Sequence, residues 1–349
     1  MTDSSREDAE FSPVSMSRRR LLVGAGAAAL AGAVPNAGAQ AMTKISIGFQ
    51  PLVTGPLWVA RGEGYFEKVG LDVEWIRFTS AVAQVTALQG GQIQIGQGAP
   101  GPFLVGSING ADLSWFSIFF DYNPLEALVI RPNLAAEKIQ DLKGKKIAAR
   151  VGTDGQFLIL KALAMNGMSI KAVEFINLEL PSQVAALKAG DIDAAYTWDP
   201  FLSQMLSFGG RIILRNKELG LGPALAGWAA KSEWLRNNRA TALKALTAVD
   251  MGYRTLLQRP ELVAKYTTQF TGITPADAER QAKAVGYYPP TVMADPGSPL
   301  VWAKGSVLSN MVNEWMQFAV DNQLIKQKGD PDAYMKLGLE VQAELLKKR

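Results

Sequence analysis

The chain contains no cysteine and no histidine among its 349 residues. Without cysteine there is no disulfide, no thiolate nucleophile and no iron–sulfur cluster. Without histidine there is no Ser-His-Asp or Cys-His triad, and the side chain that titrates nearest neutrality is missing. The two absences together remove the ordinary zinc sites. An enzyme made from this sequence would have to use carboxylates, lysine, tyrosine or an oxygen-ligated metal, and no cofactor is expected. Runs of one charge are also missing. Lys and Arg number 36 against 32 Asp and Glu, a net charge of +4. The short "KGKK" at Lys143–Lys146 reads as a solvated turn, so no nucleic-acid partner is expected.

What is present is ample apolar material. Hydrophobic residues make up 48% and charged residues 19%, a globular composition in a chain long enough for more than one core. The first forty residues read as an address. Arg18, Arg19 and Arg20 form a charged region, and Leu21–Val34 is Ala/Gly-rich and too short to span a bilayer. Ala37-Gly38-Ala39 reads as a cleavage site. Ser-Arg-Arg followed by Leu-Leu resembles a twin-arginine export signal over residues 1–39. With no cysteine for lipid attachment, the expectation is a free, soluble protein in the periplasm, without stable membrane insertion and monomeric.

From Lys44 the pattern alternates. Strands are expected at Lys44–Phe49, Leu71–Phe78 and Gln92–Gly96, with helices at Leu57–Val69 and Ala81–Gln89. A second round follows, with strands at Lys146–Val151 and Val173–Leu178 and helices at Phe157–Met165 and Pro181–Lys188. "ALQGGQI" (87–93) and "ALKAGDI" (186–192) share Ala-Leu-x-x-Gly-x-Ile, so each round closes alike. Alternation with short turns predicts parallel-type α/β sheets in two similar lobes. After Ser232 only helices are expected, at Arg239–Leu257, Glu261–Phe270, Pro275–Val285 and Pro299–Leu324, forming a C-terminal helical layer.

Ligands of open α/β sheets sit beyond the carboxyl ends of the strands. Those ends supply Gln50, Thr79, Gly98, Ala99, Pro100, Thr153, Asp154, Gln156, Tyr196, Trp198 and Asp199. This mixture of amides, hydroxyls, aromatics and bare backbone suits a small-molecule pocket. Two ends run straight into helices, at Ala99–Gly101 and Thr153–Gln156, and two helix starts could grip an anion; Thr153 or Asp154 could equally be a plain N-cap. Trp58, Trp75, Trp228, Trp302 and Trp315 read as packing, whereas Trp198 reads as a cleft wall. Asp199, before a proline, reads equally as a turn residue or as part of the site.

Residues 44–349 resemble the periplasmic substrate-binding proteins of nitrate/sulfonate/taurine ABC transporters, nearest the taurine-binding branch. The resemblance is carried by "IGFQ" (47–50), "ALQGGQIQIGQGAPGP" (87–102), "EALVI" (126–130), "DLKGKKIAAR" (141–150), "VEFINLELPSQVAALKAGDIDAAYTWDP" (173–200) and "GPALAGWAA" (222–230). It implies a two-lobe periplasmic binding protein fold of type II, closing on a ligand in the cleft between lobes. Residues 43–130 with 224–349 would form lobe one, and 131–223 lobe two. It implies that Gln50, the Gly98–Pro100 turn, Glu126, Thr153 and Trp198 lie at the ligand, although Glu126 could equally form a structural ion pair. The implied partners are a small organic solute, a sulfonate such as taurine, and an ABC permease with its ATPase. A signalling receptor or an enzyme on the same fold are the competing readings; the enzyme would have to rely on Asp154 and Asp199.

Two positions depart from the taurine-binding pattern. An acid that holds the ligand's ammonium is replaced by Ala226, and the hydroxyl-rich helix start is replaced by Thr153-Asp154-Gly155-Gln156-Phe157. A carboxylate there would repel a sulfonate, by ~1 kcal/mol at 4 Å in water and ~4 at an effective dielectric near 20. Either Asp154 points away as a cap, or the ligand presents no anion there, or Asp154 or Asp199 replaces the lost acid and holds an amine.

Overall fold

The computed structural model describes residues 41–220 and 222–348, so the expected export signal at 1–39 lies outside the described residues. Strand β1 (Thr43–Phe49) buries Ile45, Ile47 and Phe49 and is followed by α1 (Pro56–Gly62), α2 (Tyr65–Lys68), β2 (Leu71–Arg77), α3 (Ala81–Gln89), β3 (Ile95–Gly98), α4 (Pro100–Gly106) and β4 (Leu113–Asp121). The chain then passes to a second sheet through β5 (Glu126–Ile130), β6 (Lys146–Ala149), α5 (Asp154–Met165), β7 (Glu174–Asn177), α6 (Leu180–Ala189), β8 (Ala194–Trp198), α7 (Phe201–Ser207) and β9 (Arg211–Leu214). It returns with β10 (Leu225–Lys231), α8 (Ser232–Asn237), α9 (Arg239–Gln258), α10 (Glu261–Thr271), α11 (Pro275–Ala284), β11 (Gly286–Tyr287), α12 (Val307–Asp321) and α13 (Pro331–Leu346).

The first sheet runs β11-β4-β10-β3-β1-β2 and the second β7-β6-β8-β5-β9. Both are mixed, not parallel as expected. β1 is parallel to β2 and β3, and β6 to β7 and β8, but β10 is antiparallel to β3 and β4, and β5 to β8 and β9. The reason is the route. β5 and β10 each follow a passage between sheets instead of a helical crossover within one sheet, so they enter from the opposite end.

Each sheet is covered on both faces. In β5, Leu128 and Ile130 join the apolar cluster under α5, while Ala127 and Val129 join the one under α6 and α7. Burial on both faces turns a strand into a continuous apolar run, and each large side chain so buried contributes ~1.5–3 kcal/mol. β4 shows the same: eight of its nine residues, Leu113–Phe120, are buried.

The sequence repeat is a structural one. Gly91 and Gly190 both have positive φ, 72° and 84°. Gln92 N–H donates to Ala87 O at 2.9 Å, and Asp191 N–H to Ala186 O at 2.9 Å. Each glycine thus closes α3 or α6 in the same left-handed cap, where an L side chain would be strained. Two expectations in the C-terminal half shift. The helix expected over Pro299–Leu324 is confined to Val307–Asp321, because Gly305 (φ 78°) turns the chain and Ser306 caps the helix by accepting from Ser309 N–H. Strands also do not end at Ser232, since β11 adds to the β4 edge.

Candidate functional site

Four segments meet where the two sheets face one another: the first passage between sheets (122–126), the start of α5, the end of β8 and the start of α4. Gln50, Ala99, Thr153, Asp154, Trp198 and Ala226 line a small void of about 20 Å³ there. That is room for about one water. Pro100, Glu126 and Asp154 line a larger adjoining cavity of about 240 Å³. Asp154 belongs to both.

The remaining expected site residues, Thr79, Gly98, Gln156, Tyr196 and Asp199, line neither space, and each has another task; the buried Tyr196 hydroxyl donates to Asn216. The Thr79 hydroxyl donates to Glu179 at 3.4 Å. Gly98 is a close-approach position, because a Cβ there would lie 2.6 Å from the Ala81 Cβ. The Gln156 side chain accepts from Gly152 N–H at 2.9 Å and folds the turn before α5. Asp199 is fully buried, pairs with Arg280 at 3.0 Å, and accepts from the Ser203 N–H and hydroxyl in the first turn of α7. With its oxygens spent, Asp199 is not available to hold a ligand's amine. Gln50 lines the small void, but its amide donates to Gln97 O at 3.1 Å while its N–H donates to Gln97 Oε1 at 2.8 Å.

Asp154 does not point away as a cap. Thr153 holds the N-cap position without a side-chain cap, its hydroxyl donating instead to Arg150 O at 2.6 Å. Asp154, the first residue of α5, accepts the Tyr122 hydroxyl. A carboxylate in the first turn already satisfies the partial positive charge of a helix start, worth ~0.3–1 kcal/mol. The α5 terminus is therefore partly neutralised from within.

Glu126 is the second acid. It opens β5, opposite Trp198 of β8, and is fully buried. Among the described residues no Lys or Arg pairs with it, so the structural ion pair considered for it is not found among them. Its Oε1 accepts the Asn216 amide, whose oxygen accepts the Tyr196 hydroxyl. Its Oε2 has no partner. Burial, then the neighbouring Asp154 and Asp121 charges, pushes the Glu126 carboxyl well above the usual carboxylate range, against the opposing pull of Asn216. Burial likewise raises Asp154 to about 6, although the Tyr122 hydroxyl pulls it down. The Tyr122 hydroxyl is itself pushed well up, first by burial and then by the Asp154 and Glu126 charges.

The far wall of the larger cavity comes from α12 through Asn310, Met311, Glu314 and Trp315. The Trp315 ring stacks on Phe157 of α5 with centroids 5.1 Å apart. Trp315 is thus both packing, as expected, and cavity wall. Tyr122, Asn216 and Glu314 were not singled out from the sequence. The spacing Asn310-x-x-x-Glu314, two polar residues a turn apart beside Met311 and Trp315, is the one local sign that this helix face is not wholly core.

The protein-family description "NMT1/THI5 like" matches residues 52–262. The taurine-binding periplasmic protein of Escherichia coli is 28% identical over 245 residues, which cover 67% of this chain and 75% of that protein. The crystal structure of the periplasmic aliphatic sulphonate binding protein SsuA from Escherichia coli overlays with a TM-score of 0.68 at 20% identity, covering 84% of this chain and 91% of that one. The desulfurization enzyme DSZB overlays with a TM-score of 0.64 at 14% identity, covering 87% and 99%. The fold is therefore the periplasmic binding protein fold, which binding proteins and an enzyme both use. With well over half of its 349 residues inside the family match, the chain belongs to the NMT1/THI5-like family.

Proposed function

We propose that this chain is the solute-binding component of an ABC importer. It captures a small organic solute between its two sheets in the periplasm and hands it to a membrane permease and its ATPase. Residues 43–130 with 224–349 act as one lobe and 131–223 as the other. The observation that carries this reading is the adjoining void and cavity at the meeting of the two sheets, lined from both, with Trp198 as a wall. The matched binding proteins support the role. Among the described residues no helix is long and apolar enough to cross a membrane.

The ligand class is an aliphatic sulfonate such as taurine or a relative. The site binds and does no chemistry. An enzyme shares the fold, but a chain without cysteine or histidine has neither a thiolate nor an imidazole to work with. A thermal-shift screen tests the proposal with alkane and amino sulfonates, sulfate, nitrate, carboxylates and pyrimidines. Ligand at ~100 times its Kd stabilises by ~2.7 kcal/mol. A clear shift with a sulfonate is expected; a response only to another class would overturn the ligand, and no response from any class the receptor role.

A further inference from the structure

We propose that the cavity of about 240 Å³ between α5 and α12 takes a ring-sized apolar body of the solute, so that the sulfonate this chain selects carries an arene or a group of that size and not a two-carbon chain. The inference rests on the solute-binding reading and specifies the part of the solute that the reading leaves open.

The cavity has one long wall. Val307, Met311 and Trp315 of α12 all line it. Spaced four apart, they share one face of the helix and span ~12 Å along it. Exposure falls along this stripe, from 48% at Val307 through the half-buried Met311 to 4% at Trp315. An exposed valine in the first turn marks the mouth, and the tryptophan marks the inner end. Leu225 from the start of β10, with Phe157 and Leu158 of α5, adds further apolar lining. The pocket is thus built by elements of both sheets, and its middle is lined by methionine, the side chain that adapts best to an irregular partner.

The inner end is fixed. Trp315 stacks on Phe157 at 5.1 Å, and both rings meet Phe318 edge-on, at 5.4 and 4.9 Å. On another side lies Gly101 of α4, where a Cβ would come within 2.5 Å of the Trp315 ring. A tryptophan held in this way does not swing in to fill the space. Close-packed interiors leave few voids larger than a water, and an apolar cavity of ~150 Å³ already admits benzene. The larger space here therefore admits a ring, and an ethyl group would leave most of it unfilled. The polar groups agree with this. Among the described residues no lysine or arginine lines the cavity, so the anionic head of a sulfonate finds no charged partner inside, and what enters is the body. Asp154 already accepts the Tyr122 hydroxyl. Burial pushes the Glu126 carboxyl well up, toward the neutral form that tolerates an apolar neighbour.

The test is calorimetric titration with ethanesulfonate, hexanesulfonate, benzenesulfonate and naphthalene-2-sulfonate, and with acetate and benzoate as a second pair of heads. Wild type, Met311→Trp and Met311→Ala are compared. Each buried methylene is worth about 4-fold in affinity, so the four extra carbons of benzenesulfonate, even half covered, should tighten binding at least about 10-fold over ethanesulfonate. Its binding heat capacity should also be more negative. Met311→Trp narrows the cavity and should bring that ratio toward one; Met311→Ala widens it and should move the preference toward naphthalene-2-sulfonate. Equal binding of ethanesulfonate and benzenesulfonate by the wild type leaves the receptor role standing and overturns the subsite. So does a ratio that neither substitution changes. If no sulfonate binds but benzoate is preferred over acetate and Met311→Trp removes the preference, the sulfonate assignment fails and the apolar subsite stands. No binding by any of the six overturns both.

Discussion

Replacing Asp154 with asparagine should make the unliganded protein more stable at neutral pH and leave its stability near pH 4 unchanged. Asp154 sits at about 6 against an ordinary value of 3.8, because burial disfavours its charged form. A carboxyl whose folded-state pKa is raised contributes stability that is fully present below its unfolded pKa, near 4, and is lost as pH rises through its folded pKa, near 6. The difference of roughly two units, at 1.36 kcal/mol each, puts the penalty carried at pH 7.5 at about 3 kcal/mol. Asparagine carries no charge to desolvate, and its side-chain oxygen can still accept the Tyr122 hydroxyl. At ~2–4 °C per kcal/mol the unfolding temperature at pH 7.5 should rise by ~6–12 °C. Scanning calorimetry of both proteins from pH 4 to 7.5 reads this directly: the curves should meet at the acid end and diverge between pH 4 and 6. Parallel curves, or a variant less stable at pH 7.5, would refute the account of Asp154 as a desolvated acid held in place for another purpose.

Arg280→Ala leaves Asp199 buried with only its Ser203 contacts, which should lower denaturation stability by about 1–3 kcal/mol; a change within error would mean that the half-exposed Arg280 contributes nothing. Gly98→Ala forces a Cβ within 2.6 Å of Ala81 Cβ, and the overpacking should cost about 1–3 kcal/mol in a urea melt. A neutral result there would show that α3 slides freely away from β3. Trp198→Ala should lower the denaturation midpoint but leave a folded protein whose ligand affinity falls at least ~10-fold, about 1.4 kcal/mol; unchanged affinity removes Trp198 from the site.

Much of the architecture was legible because it is local. Ala81–Gln89 falls at its expected bounds, and the two Ala-Leu-x-x-Gly-x-Ile caps share both sequence and hydrogen bonds. β4 and β5 were harder. Buried on both faces, they lack the alternation that marks a strand, and an unbroken apolar run does not declare its period. The helix from Pro331 to Leu346 was not anticipated either, although Asp330 caps it by accepting from Asp332 N–H. The site divides the same way. Residues at strand ends, such as Gln50, Thr153 and Trp198, could be found because topology places them. The fate of Asp199 depends on Arg280, 81 positions away, and the cavity exists only because α12 closes over α5. No local pattern encodes either meeting.

Tyr122 lies on the first passage between the sheets. Its backbone N–H donates to Ala224 O at 2.8 Å, on the return passage, while its hydroxyl donates to Asp154. One residue thus ties both connecting segments to the acid at the start of α5. Any movement of one sheet against the other must deform the two segments that Tyr122 binds together. A proton taken up by Asp154, whose carboxyl is raised to about 6, changes the grip on that joint. In this molecule a titrating group and the joint on which the halves would turn are coupled by a single hydrogen bond, so the proton balance of Asp154 and the stiffness of the joint cannot be altered independently.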